Sequence, residues 1–341
     1  MTPEKAATMH SGAGYPNGWF AVAFSDEVRR GKTARRLLAG EEVLVYRTVG
    51  GTIRAVDPYC PHLGANIGFG GTVDGEHLVC PFHRFAFDVS GKCVRTEYGT
   101  APPRAVVRHR PVDEVNGVVF VWRHRDASAP TWHIPKLALN DYPHTRQFTA
   151  RLRGHPQDVV ENAVDIGHIT PVHGYNRPRL RNVMSTEGHI LRIGPAVRRD
   201  VPLVGSIDVD FDVEAHGLGF EYVSAVLTRP QLSVVIQMMP TLRGPKDLEI
   251  RFRVAAKADS RRFGSAINSL TAAVLTNAVG RLFWRDFKLD FQIWEHKKYV
   301  LHPRLAHGDG PIPQFRRWAA QFYSTDAEKG NDARDRAESA Q

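Results

Sequence analysis

The chain has 341 residues, 42% of them apolar and 24% charged, with three cysteines and a formal net charge of +9. That length allows one large domain or two ordinary ones. The composition is that of a globular protein, without an apolar run of about eighteen residues to span a membrane. The start, "MTPEKAATMHSGAGYPNG", lacks the order of a secretory signal, and three cysteines are too few for a disulfide framework, so a reducing cytoplasm is expected. The lysines and arginines are scattered and come with no finger or helix-turn-helix pattern, which argues against a nucleic-acid partner.

In chain order, residues 1–17 form an N-terminal segment, and from Trp19 to Trp122 the sequence reads as short strands between turns. The strands are "EEVLVYRT" at 41–48, "TIRAVD" at 52–57, "HLVCPF" at 77–82 and "VVFVW" at 118–122, which predict a small β domain over 18–140, linker included. The basic stretch "RRGKTARR" at 29–36 is either a solvated face or a dock for an acidic redox partner. "GFGGTVDGEH" at 68–77 lacks the Lys-Ser/Thr of a phosphate loop and reads as turns. These turns space two pairs of metal-binding residues, Cys60-x-His62 and Cys80-x-x-His83, which supply two thiolates and two imidazoles from two loops. Zinc is one occupant such a set can hold. Cys93 lies outside the pattern and reads as a small buried hydrophobe.

The proline-bearing stretch at 125–144 suits a linker, with a domain boundary near 140. Beyond it, "SIDVDFDVE" (206–214), "LSVVIQM" (232–238) and "LEIRFRV" (248–254) predict a second, antiparallel sheet in a domain over 141–325. Helical spacing follows at 266–300, with Ile267, Leu270, Val274, Leu275, Ala278, Leu282, Leu289 and Ile293 as the apolar stripe of a long helix. The charged tail at 326–341 reads as disordered.

Within this second domain, "ENAVDIGHITPVHG" places His168 and His173 five apart, about 140° around an ideal helix, with Pro171 between them to distort it. Two histidines and a carboxylate with open positions bind non-haem Fe(II). Asp290 on the long helix is the first choice for that carboxylate, Asp286 the second and Glu295 the third. Asn162 reads equally as a hydrogen-bonding neighbour of the iron or as a helix cap. Tyr175 and the aromatics Phe220, Trp284 and Trp318 read as packing.

Cys-x-His with Cys-Pro-Phe-His in a β context resembles the Rieske family. There the two cysteines hold one iron of a [2Fe–2S] cluster and the two histidines hold the other, which raises the potential to roughly −150 to +300 mV from about −400 mV. Asp165-x-x-His168-x4-His173 and the distant Asp290 in "LDFQIWEHK" are similar to the mononuclear-iron motif of Rieske oxygenases. Within that family, "CPHLGANIGFGG", "QIWEHKKY" and "DGPIPQFRRWAAQFYS" most resemble the cholesterol 7-desaturases and then the 3-ketosteroid 9α-hydroxylases. One departure is Arg84-Phe85 after the second cluster histidine, where the family commonly carries Gly-Trp.

The resemblance implies an α+β architecture, with a Rieske β domain followed by a helix-grip (START-like) catalytic domain whose antiparallel sheet curves around a long helix. It implies a terminal oxygenase that uses O2 and NAD(P)H electrons, passed through a ferredoxin or a flavin/iron–sulfur reductase, to hydroxylate or desaturate a steroid-like substrate. It further implies a homotrimer in which Asp165 bridges His83 of one chain to His168 of the next, joining cluster to iron. Three other readings of the sequence stay open: an oxygenase or demethylase of non-steroid substrates, a plain Rieske electron carrier, and a lipid-binding module that leaves both metal sites idle.

Overall fold

The computed structural model describes residues 14–201, 205–228, 231–258 and 265–324. The tail at 326–341 and most of the segment at 1–17 lie outside them. The first part of the chain forms three small antiparallel sheets. Strands β1 (Gly18–Phe24), β11 (Val118–Arg123) and β10 (Val112–Val115) make one. Strands β2 (Lys32–Leu38), β3 (Glu41–Arg47), β4 (Ile53–Val56) and β9 (His109–Arg110) make the second. The third holds the short strands β5 (Thr72–Asp74), β6 (His77–Val79), β7 (Ala86–Phe87) and β8 (Cys93–Arg95). The basic stretch at 29–36 enters β2, where Arg36 pairs with Glu27 at 2.8 Å and Arg35 with Glu42 at 3.2 Å.

Strand β1, "GWFAVAF", is buried along its whole length because it is covered on both faces. Phe20 and Val22 face Val43, Val45, Ile53 and Val121 of the small domain, whereas Trp19 and Ala21 join Phe120, Trp122, Phe220 and Met239. Phe220 and Met239 belong to the second sheet, so β1 is the seam between the two halves. Gly219 makes that seam close, since a Cβ there would lie 2.1 Å from the carbonyl oxygen of Trp19. The irregular segment after β11 is pinned along the seam by buried Ile134 and by Trp132, whose ring stacks on His189 at 4.3 Å.

The second half is built on a seven-stranded antiparallel sheet in the order β12-β18-β17-β16-β15-β14-β13. These strands are β12 (Arg146–Arg153), β13 (Asn176–Glu187), β14 (Ile190–Val201), β15 (Gly205–His216), β16 (Phe220–Thr228), β17 (Gln231–Gly244) and β18 (Asp247–Ala258). Short helices α1 (Pro156–Glu161) and α2 (Ile169–His173) fall between β12 and β13, and the long α3 (Ser265–Phe287) packs on β18 and β12. A single 3-10 turn, Lys288–Asp290, separates α3 from α4 (Phe291–His296), and α5 (Ile312–Ala319) follows. Fold class and helix-on-sheet packing match the expectation from sequence.

The expected apolar stripe of the long helix does not. Of its members Leu275 packs against the core, but Val274, Leu282, Leu289 and Ile293 are 62%, 52%, 41% and 42% exposed, whereas Thr276, Val279, Asp290 and Trp294 are buried. The side chains of Ile267 and Leu270 lie outside the described residues. Apolar residues surround this segment, so a three-and-four step can be traced on either side of it. The aromatics decide the face: Trp284, Phe287, Phe291 and Trp294 form a ladder of ring contacts that reaches Phe148 and Phe252 of the sheet, and Phe283 packs on the same core. The segment is also two helices rather than one.

Candidate metal centres

Two loops of matching shape build the first site. In each, a cysteine starts a tight turn: the amide of Cys60 donates to the Ala65 carbonyl at 2.8 Å, and that of Cys80 to the Phe85 carbonyl at 2.9 Å. The fifth residue of each loop, counted from its cysteine, has left-handed backbone, Gly64 at φ +75° and Arg84 at φ +58°. Both thiols are buried inside the small domain, while the half-buried rings of His62 and His83 sit outward with centroids 4.8 Å apart. Burial first, and then the neighbouring Cys80, push the Cys60 thiol up to about 11. A metal must therefore displace its proton. Cys93 is buried on β8 in the same apolar cluster as Cys60 and Cys80, as a small hydrophobe would be.

The second site lies between α2 and the end of α3. Donor atoms of His168, His173 and Asp290 all lie within 4.8 Å of one another. The brevity of α2, and not a distortion by Pro171, brings the histidines together. His168 is its N-cap and His173 its last residue. Pro171 stands within the first turn, where an amide has no partner in the helix to lose. Asp290 is the final residue of the 3-10 turn, 3% exposed, and the break between α3 and α4 occurs at its position.

Several contacts orient these donors. Nδ1 of His168 lies 2.5 Å from the Asp165 carbonyl oxygen, and the Asp165 carboxylate accepts from the His168 amide at 3.2 Å. Asn162 is the C-cap of α1, and its Nδ2 lies 3.3 Å from His168 Nε2. Nε2 of His173 lies 3.4 Å from Asp290 Oδ2, and its Nδ1 lies 3.7 Å from Asp286 Oδ2. Asp286 thus stands behind His173 rather than beside the donors, held by the Tyr175 hydroxyl at 3.0 Å and Arg199 at 3.6 Å. Burial pulls the His173 imidazole down, but the two carboxylates outweigh it and leave it at about 9. Glu295 is not among the residues around the site.

The donors open on a cavity under the sheet lined mainly by apolar side chains, among them Val213, Val223, Ile236, Met238 and Phe252. Phe220, Trp284 and Trp318 are not among the lining residues, which agrees with their reading as packing. Of the residues lining the cavity, Glu221 on β16 carried no expectation from sequence.

The profile of the Rieske [2Fe-2S] domain matches residues 18–110, and that of the 3-ketosteroid 9alpha-hydroxylase C-terminal domain matches residues 121–323. The chain belongs to the Rieske non-haem iron oxygenases. A cholesterol 7-desaturase of Bombyx mori is 30% identical over 339 residues, 94% of this chain and 72% of that protein. The oxygenase component of a 3-ketosteroid-9-alpha-monooxygenase of Rhodococcus rhodochrous is 25% identical, over 91% of this chain and 84% of its own. Dicamba monooxygenase bound to dicamba shares the fold, with a TM-score of 0.71 at 18% identity over 91% of this chain and 98% of its own.

In this Rieske oxygenase the departure at Arg84-Phe85 has a structural answer. Arg84 adopts the left-handed backbone that glycine takes without strain, and its side chain turns outward to Glu97 at 3.2 Å. Phe85 is buried and stacks on His62 at 4.3 Å with an interplanar angle of 12°. No helix among the described residues is long and apolar enough to cross a membrane.

Proposed function

We propose that this oxygenase is the cytoplasmic terminal component of a system that hydroxylates or desaturates a steroid-like substrate, with O2 and with NAD(P)H electrons delivered by a separate ferredoxin or flavin/iron–sulfur reductase. The observation that carries this reading is a cavity with His168, His173 and Asp290 in its wall and a mostly apolar lining elsewhere. The lining suits a fused-ring hydrocarbon. Similarity to a sterol desaturase and a 3-ketosteroid monooxygenase supports the same substrate class.

In this reading Cys60, His62, Cys80 and His83 hold the [2Fe–2S] cluster, and His168, His173 and Asp290 hold a mononuclear Fe(II). The donor set fits each group, thiols and imidazoles for the first and two imidazoles with a carboxylate for the second. Iron bound there supplies reductive activation of O2. The protein sets the tautomers: the Asp165 carbonyl keeps a proton on Nδ1 of His168 and so leaves Nε2 free as the donor. Asp286, fixed by Tyr175 and Arg199, favours the same tautomer of His173 through its charge. The aliphatic and aromatic walls exclude water and hold the substrate by shape.

Asp165 is the proposed link for electron delivery. Its side chain is 36% exposed while its carboxylate accepts from the His168 amide, so it can meet the partner subunit's His83 in a head-to-tail trimer. The test of the function is turnover with a surrogate reductase on cholesterol and on 3-ketosteroids, and a hydroxylated or desaturated steroid is the expected product. Robust turnover of a small arene or an N-methyl compound, with no steroid bound, rejects the reading.

A further inference from the structure

Glu221 is 2% exposed on β16, and its Oε2 has no hydrogen-bond partner among the described residues. Strand alternation sets it in phase with Val223, and its cross-strand neighbours are Met238 on β17 and Ala215 on β15. None of these side chains can hydrogen-bond to a carboxyl group in any useful way. Glu221 nevertheless lines the same cavity as the three metal-site residues. It stands on the sheet, whereas Asn162, Asp165 and Asp286, the polar groups next to His168 and His173, come from the helical side. Leaving a buried carboxyl unpaired costs stability, and the apolar residue that its position in the strand calls for would avoid that cost.

We infer that Glu221 is a specificity-determining contact, which hydrogen-bonds an oxygen substituent of the steroid that occupies the cavity. The inference rests on the steroid reading above and adds a recognised group to it. Burial alone pushes the Glu221 carboxyl up to about 8, so near neutral pH it is mainly the neutral acid. A neutral carboxyl offers one O–H donor and a carbonyl acceptor, so it can serve a ketone or a hydroxyl. A fused-ring hydrocarbon presents little else that is polar. Its oxygen and Glu221 therefore each supply the partner that the other lacks in a dry cavity, and a deoxy analogue leaves the carboxyl unpaired.

The experiment is equilibrium binding to the oxidised holoenzyme without reductase. The probes are cholesterol against cholest-5-ene, and androst-4-ene-3,17-dione against androst-4-ene. Wild type is expected to prefer the oxygenated member of at least one pair by about tenfold to hundredfold. E221Q, which keeps a donor and an acceptor, should retain most of that preference. E221L and E221M should abolish or reverse it, weakening the oxygenated steroid while the hydrocarbon binds as well or better. A general loss of structure would weaken both members alike, so a change of preference is a signature of contact.

If wild type binds a steroid but E221L and E221M discriminate within the pairs as it does, the inference is overturned and the steroid reading stands. If wild type binds no steroid, both fall. Should neither apolar variant fold, equal affinity of wild type for both members of each pair also overturns the inference, and a clear preference that E221Q preserves supports it.

Discussion

The proposed cluster loops and the proposed mononuclear site are built on opposite plans. Each cluster loop is local: a cysteine, its histidine and the left-handed residue of the turn lie within five consecutive positions, and one turn geometry serves both loops. The mononuclear site joins the N-cap and the last residue of a one-turn helix to a carboxylate in a break between two helices far along the chain. A local site carries its geometry in its motif. A distributed one depends on the packing that brings its pieces together, and on neighbours that no motif records.

The largest predicted effects separate the two plans. Cys60→Ser or His83→Ala should remove the visible absorption and the electron resonance signal of the cluster, and turnover with it. His168→Ala, His173→Ala or Asp290→Ala should leave those spectra intact while mononuclear iron and turnover fall to background. Iron analysis beside the spectra checks this. A variant of one site that strips both would mean that the two sites fold as one unit.

Asp165→Ala comes next. It should keep the cluster and most of the iron, yet lose reductase-driven turnover by about a hundredfold or more, with some product restored by hydrogen peroxide if the trimer persists. Undiminished turnover, or full activity in a demonstrated monomer, counts against the bridge.

A smaller effect belongs to the supports of His173. Asp286→Asn or Tyr175→Phe should weaken iron binding or activity by about 10- to 100-fold, where Asp290→Ala abolishes it. The same carboxylates give a pH dependence. The His173 imidazole is held at about 9, above its unfolded value, so in the metal-free protein its charged form adds stability below about 6.5 that is lost as pH rises through about 9. Iron must displace that proton, so iron affinity should rise by about tenfold per pH unit up to about 9 and then level off. Titration of metal-free protein at several pH values checks the slope, and Asp286→Asn should move the plateau to lower pH.

What could be read from sequence follows the same division. The strands "EEVLVYRT" and "LEIRFRV" declare themselves by apolar runs or alternation, and the Cys/His pairs by spacing alone. The helix at 266–300 was legible as a helix but not in its facing, because Leu282, Leu289 and Ile293 are apolar yet exposed while the buried side is marked by aromatics and by Asp290. The contact of Tyr175 with Asp286 joins residues 111 positions apart and leaves no local trace. Glu221 did leave one: in "FEYVSAVL" it falls in phase with Val223, Ala225 and Leu227, a lone carboxylate on the apolar half of an alternating strand. Such a residue needs either a partner across the core or a ligand.

The smallest effect tests how far the two cluster loops are equivalent. Gly64 and Arg84 occupy matching places with left-handed backbone, but a side chain there brings its Cβ close to the following carbonyl, at about 1–2 kcal/mol. Arg84 is exposed and its ion pair with Glu97 joins two exposed side chains, so that pair offsets little of the strain. Arg84→Ala keeps the strain and removes the pair, and should change stability by less than about 1 kcal/mol. Arg84→Gly removes both, and after the entropy that glycine loses on folding it should end level with wild type or up to about 1 kcal/mol above it. Gly64→Ala is the mirror experiment: nothing lies within 4 Å of the added Cβ, so backbone strain alone should destabilise the loop, by about 1 kcal/mol. Denaturation midpoints followed by cluster absorption compare the three. If Arg84→Gly is the least stable of them, Arg84 makes a contact that its backbone and its single ion pair do not account for, and the two loops are not interchangeable.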